Sequence, residues 1–350
     1  MLRNRSRVYP VILALTIALV VSMMTGCYPD HPMSTFDAKG PVAERQLQLF
    51  WAILAASTVV VILVCGAALY IVVKFRRRPG QGIPEQTHGS TKLEIAWTIA
   101  PIVLLAGFAI PTVAGQFYIS APPSDEPHMV IQIDAHQWWW DVKYPDSGVV
   151  TANEIHVPTN MNVKVDLTSA DVLHSFWVPK LAGKMDIIPG KTTTMWFNAS
   201  EAGEYYGQCA EFCGESHAWM RFRVMAVSPE EFESWTAHQL QDAPSPSTPE
   251  ETAGSTLFLM KGCIACHAIA GNPVAAGIKG PNLTHVSGRS TLAAGIMEMN
   301  DANLRSWITD PEDVKPGNIM AWEGVAYTNP DLALTDADID NLMAYIKSLR

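Results

Sequence analysis

Twelve residues, Cys209-Ala-Glu-Phe-Cys213-Gly-Glu-Ser-His217-Ala-Trp-Met220, put two thiols, an imidazole and a thioether on one short stretch of this chain. These are soft and borderline donors of the kind that suit copper. Two cysteines four positions apart on a tight loop can turn both sulfurs toward one point. His217 and Met220 return on the loop's far limb as it re-enters a strand. A Cys209–Cys213 disulfide is the other reading in an oxidising compartment, and the added His and Met weigh against it. One loop does not close such a site, and His174, in Asp171-Val-Leu-His-Ser-Phe-Trp-Val-Pro179, is the donor offered from elsewhere.

A second cluster, Cys263-Ile-Ala-Cys266-His267, is the attachment signature of c-type haem, in which both thiols bond covalently to vinyl groups and the His ligates iron. Zinc and thioredoxin-like sites share C-x-x-C but do not account for the following His. The iron needs a sixth donor. Lys315-Pro-Gly-Asn-Ile-Met320 lies in a Pro/Gly-broken loop between two helical segments and offers Met320. Met297 and Met299 lie in a helix-like run where filling a core is the plainer role, and His285 is an alternative ligand.

The elements that must hold these clusters are legible in outline. At 350 residues the chain has room for two or three domains, and a net charge of −10 argues against a nucleic-acid partner. Arg3, Arg5 and Arg7 precede the apolar run Val11 to Met24, so residues 1–26 read as a signal peptide. Gly26-Cys27 resembles a lipoprotein box with Cys27 as the acylated residue; ordinary cleavage nearby or an uncleaved anchor are the alternatives. Residues 27–46 form an external segment. Residues 47–73 carry no charge and exceed the ~20 needed to cross a bilayer, and 95–117 make a second span. Lys74-Phe-Arg-Arg-Arg78 assigns the 74–94 loop to the cytoplasm. Glu94 sits at the inner mouth of the second span, where a carboxylate needs water, a partner or a helix dipole. From 120 to 228 short alternating runs broken by Pro predict an all-β sandwich. His136-Gln-Trp-Trp-Trp-Asp141 lies within it, and three adjacent tryptophans cannot all face one side of a strand. One of Trp139 and Trp140 should fill the core, and at least one of the three should meet solvent or a partner. Residues 229–253, rich in Pro, Ser, Thr and Glu, read as a semi-extended linker. A last domain, 254–350, ends in a helix with apolar residues Ile339, Leu342, Met343, Ile346 and Leu349 at helical spacing.

Together, His174 and the C-x-E-x-C-x3-H-x2-M run resemble the binuclear copper (CuA) centre of cytochrome c oxidase subunit II. The whole chain resembles the form of that subunit with a fused class I cytochrome c, as in caa3-type oxidases. The resemblance implies a multidomain fold: a two-helix transmembrane hairpin, an all-β cupredoxin-like Greek-key sandwich and an all-α cytochrome c domain. It implies that Cys209 and Cys213 bridge two coppers, that His174 and His217 are terminal ligands, and that Met220 and the Glu211 carbonyl are axial. The Glu211 side chain would contribute to a magnesium site against subunit I. Trp138 would be the surface residue where electrons arrive, Glu94 the mouth of a proton channel, Met320 the haem's axial ligand, and the Pro281 carbonyl, in Gly280-Pro-Asn-Leu283, the acceptor that orients His267. Ala321 stands where the cytochromes usually have Pro after this Met. The implied partners are subunit I and other oxidase subunits, an electron donor (cytochrome c or a bc1 complex) and the lipid bilayer of a bacterial inner membrane, with the metal domains on the periplasmic side. Two other functions fit the same chemistry: the electron-accepting subunit of a CuA-type nitric oxide reductase, and a stand-alone membrane-tethered carrier.

Overall fold

The computed structural model describes residues 18, 31–80, 82, 83, 86 and 88–350. Cys27 and, save Ala18, the expected signal segment lie outside them. Two long helices come first, α1 (Pro41–Lys74) and α2 (Thr91–Ser120), both apolar and long enough to cross a membrane. At 34 residues α1 is about 50 Å long, well beyond a ~30 Å hydrocarbon core. The excess has a use. Val42 and Ala43 are buried, the Ala43 N–H donates to the Leu181 carbonyl at 3.2 Å, and a Cβ on Gly40 would run into the Asn198 carbonyl. The first helix is thus rooted in the domain that follows. The end of α2 is tied to the same domain, since Trp196 Nε1 donates to the Tyr118 carbonyl at 3.3 Å.

That domain is a sandwich of ten strands: β1 (His128–His136), β2 (Trp139–Tyr144), β3 (Val149–Ala152), β4 (Glu154–Pro158), β5 (Asn162–Ser169), β6 (His174–Trp177), β7 (Met185–Ile187), β8 (Thr193–Phe197), β9 (Gly203–Cys209) and β10 (Arg221–Val227). One sheet runs β3-β2-β1-β5-β8 and the other β4-β10-β9-β6-β7. Alternate residues face inward, as in Ile131, Ile133 and Ala135 of β1 and Phe222, Val224 and Ala226 of β10. The chain changes sheet at Asn153, whose φ of 63° suits Asn and whose Oδ1 accepts from the Trp140 N–H at 2.9 Å. Trp140, fully buried, meets Phe176 and Phe222 edge-on at 5.7 and 5.1 Å and fills the core beneath the copper candidates.

The stretch 229–253, read as an extended linker, is mostly helical. Residues Pro229–Gln239 form α3, capped by Ser228 and Glu231 in a reciprocal box. Phe232 and Trp235 of α3 pack on Tyr144, and Trp235 stacks on His156 at 4.3 Å. Polar composition concealed a capping box and an i, i+3 aromatic pair that together specify a short docked helix. The next helix, α4 (Pro249–Met260), starts within the same stretch, so only the few residues from Leu240 to Thr248 connect the two.

The last domain comprises α4, the two-residue strands β11 (Thr291–Leu292) and β12 (Met297–Glu298), and helices α5 (Asp301–Thr309), α6 (Pro311–Val314), α7 (Ile319–Glu323), α8 (Val325–Thr328) and α9 (Asp336–Ser348). Met297 stands in β12 and Met299 just after it, not in a helix, and both pack against the domain's core. On α9, Ile339, Leu342 and Met343 are buried, as is Leu349 at its C-cap, with Ile346 packed at the core's edge. The crossing of α4 and α9 is set by Gly254, where a Cβ would collide with the Asn341 carbonyl and lie 2.7 Å from Tyr345 Cβ. Gly254→Ala is therefore expected to lower the stability of this domain by about 1–3 kcal/mol. Gly288→Ala, with nothing within 4 Å of the added carbon, should leave it nearly unchanged. Thermal melts followed at the haem band would compare the two, and equal melting points would contradict the close-approach argument.

Candidate metal centres

The copper candidates converge from three strand ends. His174 opens β6, Cys209 closes β9, and the 210–219 loop returns Cys213, His217 and Met220 to the start of β10. The two sulfurs lie 3.8 Å apart, far beyond the ~2.05 Å of a disulfide. His174 Nδ1 is 3.9 Å from Cys209 Sγ, and His217 Nδ1 is 3.6 Å from Cys213 Sγ, so one imidazole flanks each sulfur. Met220 Sδ is 3.9 Å from Cys213 Sγ and the Glu211 carbonyl 3.2 Å from Cys209 Sγ. All but His217 and the partly exposed Glu211 are buried.

Outside this ring, Asp171 Oδ1 lies 2.7 Å from His174 Nε2 and turns the other ring nitrogen inward. Burial raises the Asp171 carboxyl, but bonds from His174 and from the Val172 and Gln137 N–H groups outweigh it and hold the group below its ordinary value. The bond from Cys213 pulls the Cys209 thiol down to about 4, while that same bond, with burial, pushes Cys213 up. Two facing thiols share a proton because two bare thiolates this close repel each other. A pair of soft cations between them removes that repulsion, so the sulfur and nitrogen donors fit a binuclear copper group. The Glu211 carboxylate points outward, 3.8 Å from Lys184.

The three tryptophans divide as the pleat requires. Trp140 is core, Trp139 stacks on His136 at 4.4 Å, and Trp138 lies over the copper loop, donating from Nε1 to the Cys213 carbonyl at 3.0 Å. The Gln137 side chain donates to the same carbonyl at 2.7 Å. Trp138 is expected at the surface, yet only 7% of it is exposed. The last domain covers it: Lys315 Nζ donates to the Trp138 carbonyl at 2.6 Å, and Gly317 sits against its ring. A contact between segments 177 residues apart leaves no trace in local pattern.

Directly beyond Trp138 opens a cleft lined by Cys263, Cys266, His267, Pro281, Met320 and Trp307, among others. His267 Nδ1 donates to the Pro281 carbonyl at 2.8 Å, which turns Nε2 toward the cleft. Burial lowers the ring's pKa, with the Pro281 bond opposing, so the imidazole is neutral as an iron ligand must be. Arg289 also lines the cleft, and its Nε has no hydrogen-bond partner. An apolar slot with two free thiols, a neutral imidazole, a thioether and a guanidinium short of a partner fits a haem with its carboxylates. His285 is not available to the iron. Its Nδ1 and Nε2 lie 2.6 and 3.1 Å from the carbonyls of Arg350 and Gln241. Glu94 lies exposed in the first turn of α2.

Comparison with known sequences bears on all three parts. Residues 31–114 match the transmembrane domain and 149–227 the periplasmic domain of cytochrome c oxidase subunit II, and 251–350 match cytochrome c. A protein of Alkalihalophilus pseudofirmus named cytochrome c oxidase subunit 2 is 36% identical over 341 residues, covering 96% of each chain. The chain belongs to the cytochrome c oxidase subunit II family. A Bacillus subtilis protein of the same name is 35% identical over 97% of each chain. A solved periplasmic domain of cytochrome oxidase subunit II from Bradyrhizobium japonicum is 34% identical, covering 34% of this chain and 95% of that one, with a TM-score of 0.32. Family membership carries with it a membrane anchor, a periplasmic copper domain and a haem-bearing cytochrome domain. Sequence reasoning missed two residues at this subunit's junction. Arg289 and Lys315 carry no motif, and only the fold brings them to the cleft.

Proposed function

We propose that the chain accepts electrons at its own C-terminal haem and passes them by way of a dicopper centre to the catalytic subunit I of a haem–copper terminal oxidase, which reduces O2 to water with proton translocation. The observation that carries this reading is the position of Trp138. Its indole N–H is bonded to the backbone of Cys213 while the same residue lines the haem cleft, so one aromatic side chain bridges both candidate centres. Bound there, copper and haem iron supply one-electron chemistry.

Cys209, Cys213, His174 and His217 would hold the coppers, with the Met220 thioether and the Glu211 carbonyl as further donors. Asp171 fixes the His174 ring. Cys263 and Cys266 would hold the haem covalently and His267 and Met320 would supply its iron with an imidazole and a thioether, while Pro281 keeps the His267 proton on Nδ1. The outward carboxylate of Glu211 suits a magnesium ion at the subunit I boundary. Glu94, at the opposite end of α2 from the sandwich, suits the mouth of a proton path. The arginines at 76–78 fit a cytoplasmic loop and hence an inner-membrane chain with both metal domains outside. An external cytochrome c or a bc1 complex would deliver electrons to the haem and not to Trp138. Purification from native membranes tests the reading. A low-spin c-type haem, a mixed-valence copper signal and a co-purifying haem–copper subunit are expected, and absence of that subunit would overturn it.

A further inference from the structure

The contact between the copper and haem domains is built from buried polar groups. Glu154 of β4, 3% exposed, accepts three hydrogen bonds on Oε1, from Ser290 Oγ, Thr291 N and Thr291 Oγ1, each at 2.8 Å. Lys315, also 3% exposed, crosses the other way, donating to the Trp138 carbonyl at 2.6 Å and to that of Ala293 at 3.1 Å. The Arg221 N–H donates to the Ala294 carbonyl at 3.1 Å, Arg223 Nη2 to the Gly295 carbonyl at 3.2 Å, and Ser216 Oγ to the Pro316 carbonyl at 2.5 Å. The turn that offers these carbonyls is unusual. Ala293, Ala294 and Gly295 have φ of 53°, 66° and 75°, and two alanines in the left-handed region are tolerated only where surrounding contacts hold them. A carboxylate and an ammonium buried without such partners would be strongly disfavoured. The surfaces are therefore made for each other.

We propose that the haem domain is latched to the copper domain in one fixed pose, with Glu154 and Lys315 as the positioning residues that hold the haem cleft against Trp138. This rests on the electron route proposed above and deepens it. Transfer between the centres needs no docking step, and Trp138 is closed to any separate electron carrier. The two anchors lie on different parts of the haem domain, the 290–295 turn and the 315–317 loop, so together they restrain rotation as well as separation. Gly317 completes the fit, since a Cβ there would lie 2.8 Å from Glu215 Oε2 and 3.1 Å from Trp138 Cη2.

The test uses the full chain with both cofactors bound. A ruthenium photoreductant injects an electron into the haem, and the copper absorbance is followed as glycerol raises the viscosity. A fixed pose predicts a wild-type rate that viscosity does not change. The Glu154→Ala/Lys315→Met double variant should be slower by about a hundredfold and viscosity-dependent. Glu154→Gln, which keeps a carbonyl acceptor, should recover most of the rate. A second readout needs no metal: in the copper-stripped chain the amides of Thr291 and Arg221 should resist hydrogen exchange as strongly as β5, and lose that protection in the double variant while β5 and α9 keep theirs. A wild-type rate that falls as viscosity rises, or exchange of Thr291 at loop rates, would overturn the latch. Protected amides with no copper reduction after haem reduction would uphold the fixed pose and remove the electron route.

Discussion

Replacing Cys213 with Ser is expected to cost the chain its binuclear copper and leave its haem intact. The hydroxyl of Ser is a hard, neutral donor that does not bridge two coppers, and one remaining thiolate on Cys209 has no counterpart 3.8 Å away. Copper should fall from a pair per chain to one or none, the mixed-valence EPR signal should vanish, and oxidase turnover should drop by on the order of a hundredfold or more. The change removes no core volume to speak of, and the cleft around Cys263, Cys266 and His267 lies in another domain, so the haem spectrum should not move. Metal analysis beside the optical spectrum checks both halves. Retention of a full copper pair would show that Cys213 is not a bridging ligand.

The second large effect belongs to Met320→Ala. Among the described residues lining the cleft Met320 is the one thioether, carried on α7 in the loop that also brings Lys315 to Trp138. Axial ligands set haem potentials across about 0.8 V, so loss of the sulfur should lower the potential by on the order of a few hundred millivolts. The sulfur-to-iron absorption should go with it. Neither His285 nor the nearby methionines can stand in. His285 has both nitrogens engaged by carbonyls, and Met297 and Met299 do not line the cleft. The copper signal should be untouched, because Met320 acts on the far side of Trp138. A redox titration that found the haem potential unchanged would refute the assignment.

How much of this was legible beforehand varies with the range of the contact. The C-x3-C-x3-H-x2-M run and the C-x-x-C-H run are local, so their donors were visible as donors before any fold was known. The same holds for the two apolar spans and for the 3.6-residue stripe of α9. The 229–239 helix is hidden from composition because Pro, Ser and Glu suggest an open chain, while in order they spell a capping box followed by Phe232 and Trp235, which dock on Tyr144 and His156. The run around Met297 suggests a helix by pattern because a short apolar run reads the same in a helix and in a two-residue strand.

By itself the sequence determined the chemistry: which residues can bind soft metals, which can carry haem, and which segments must leave water. Only the tertiary structure decided where those chemistries meet. Trp138 lies buried between two domains and not at a free surface because Lys315, Glu154 and the 293–295 turn bring a distant domain onto it. Ligand identity is a property of side chains within one loop. The approach of two domains is set by hydrogen bonds between residues 72 to 177 positions apart, and no periodicity or spacing encodes them.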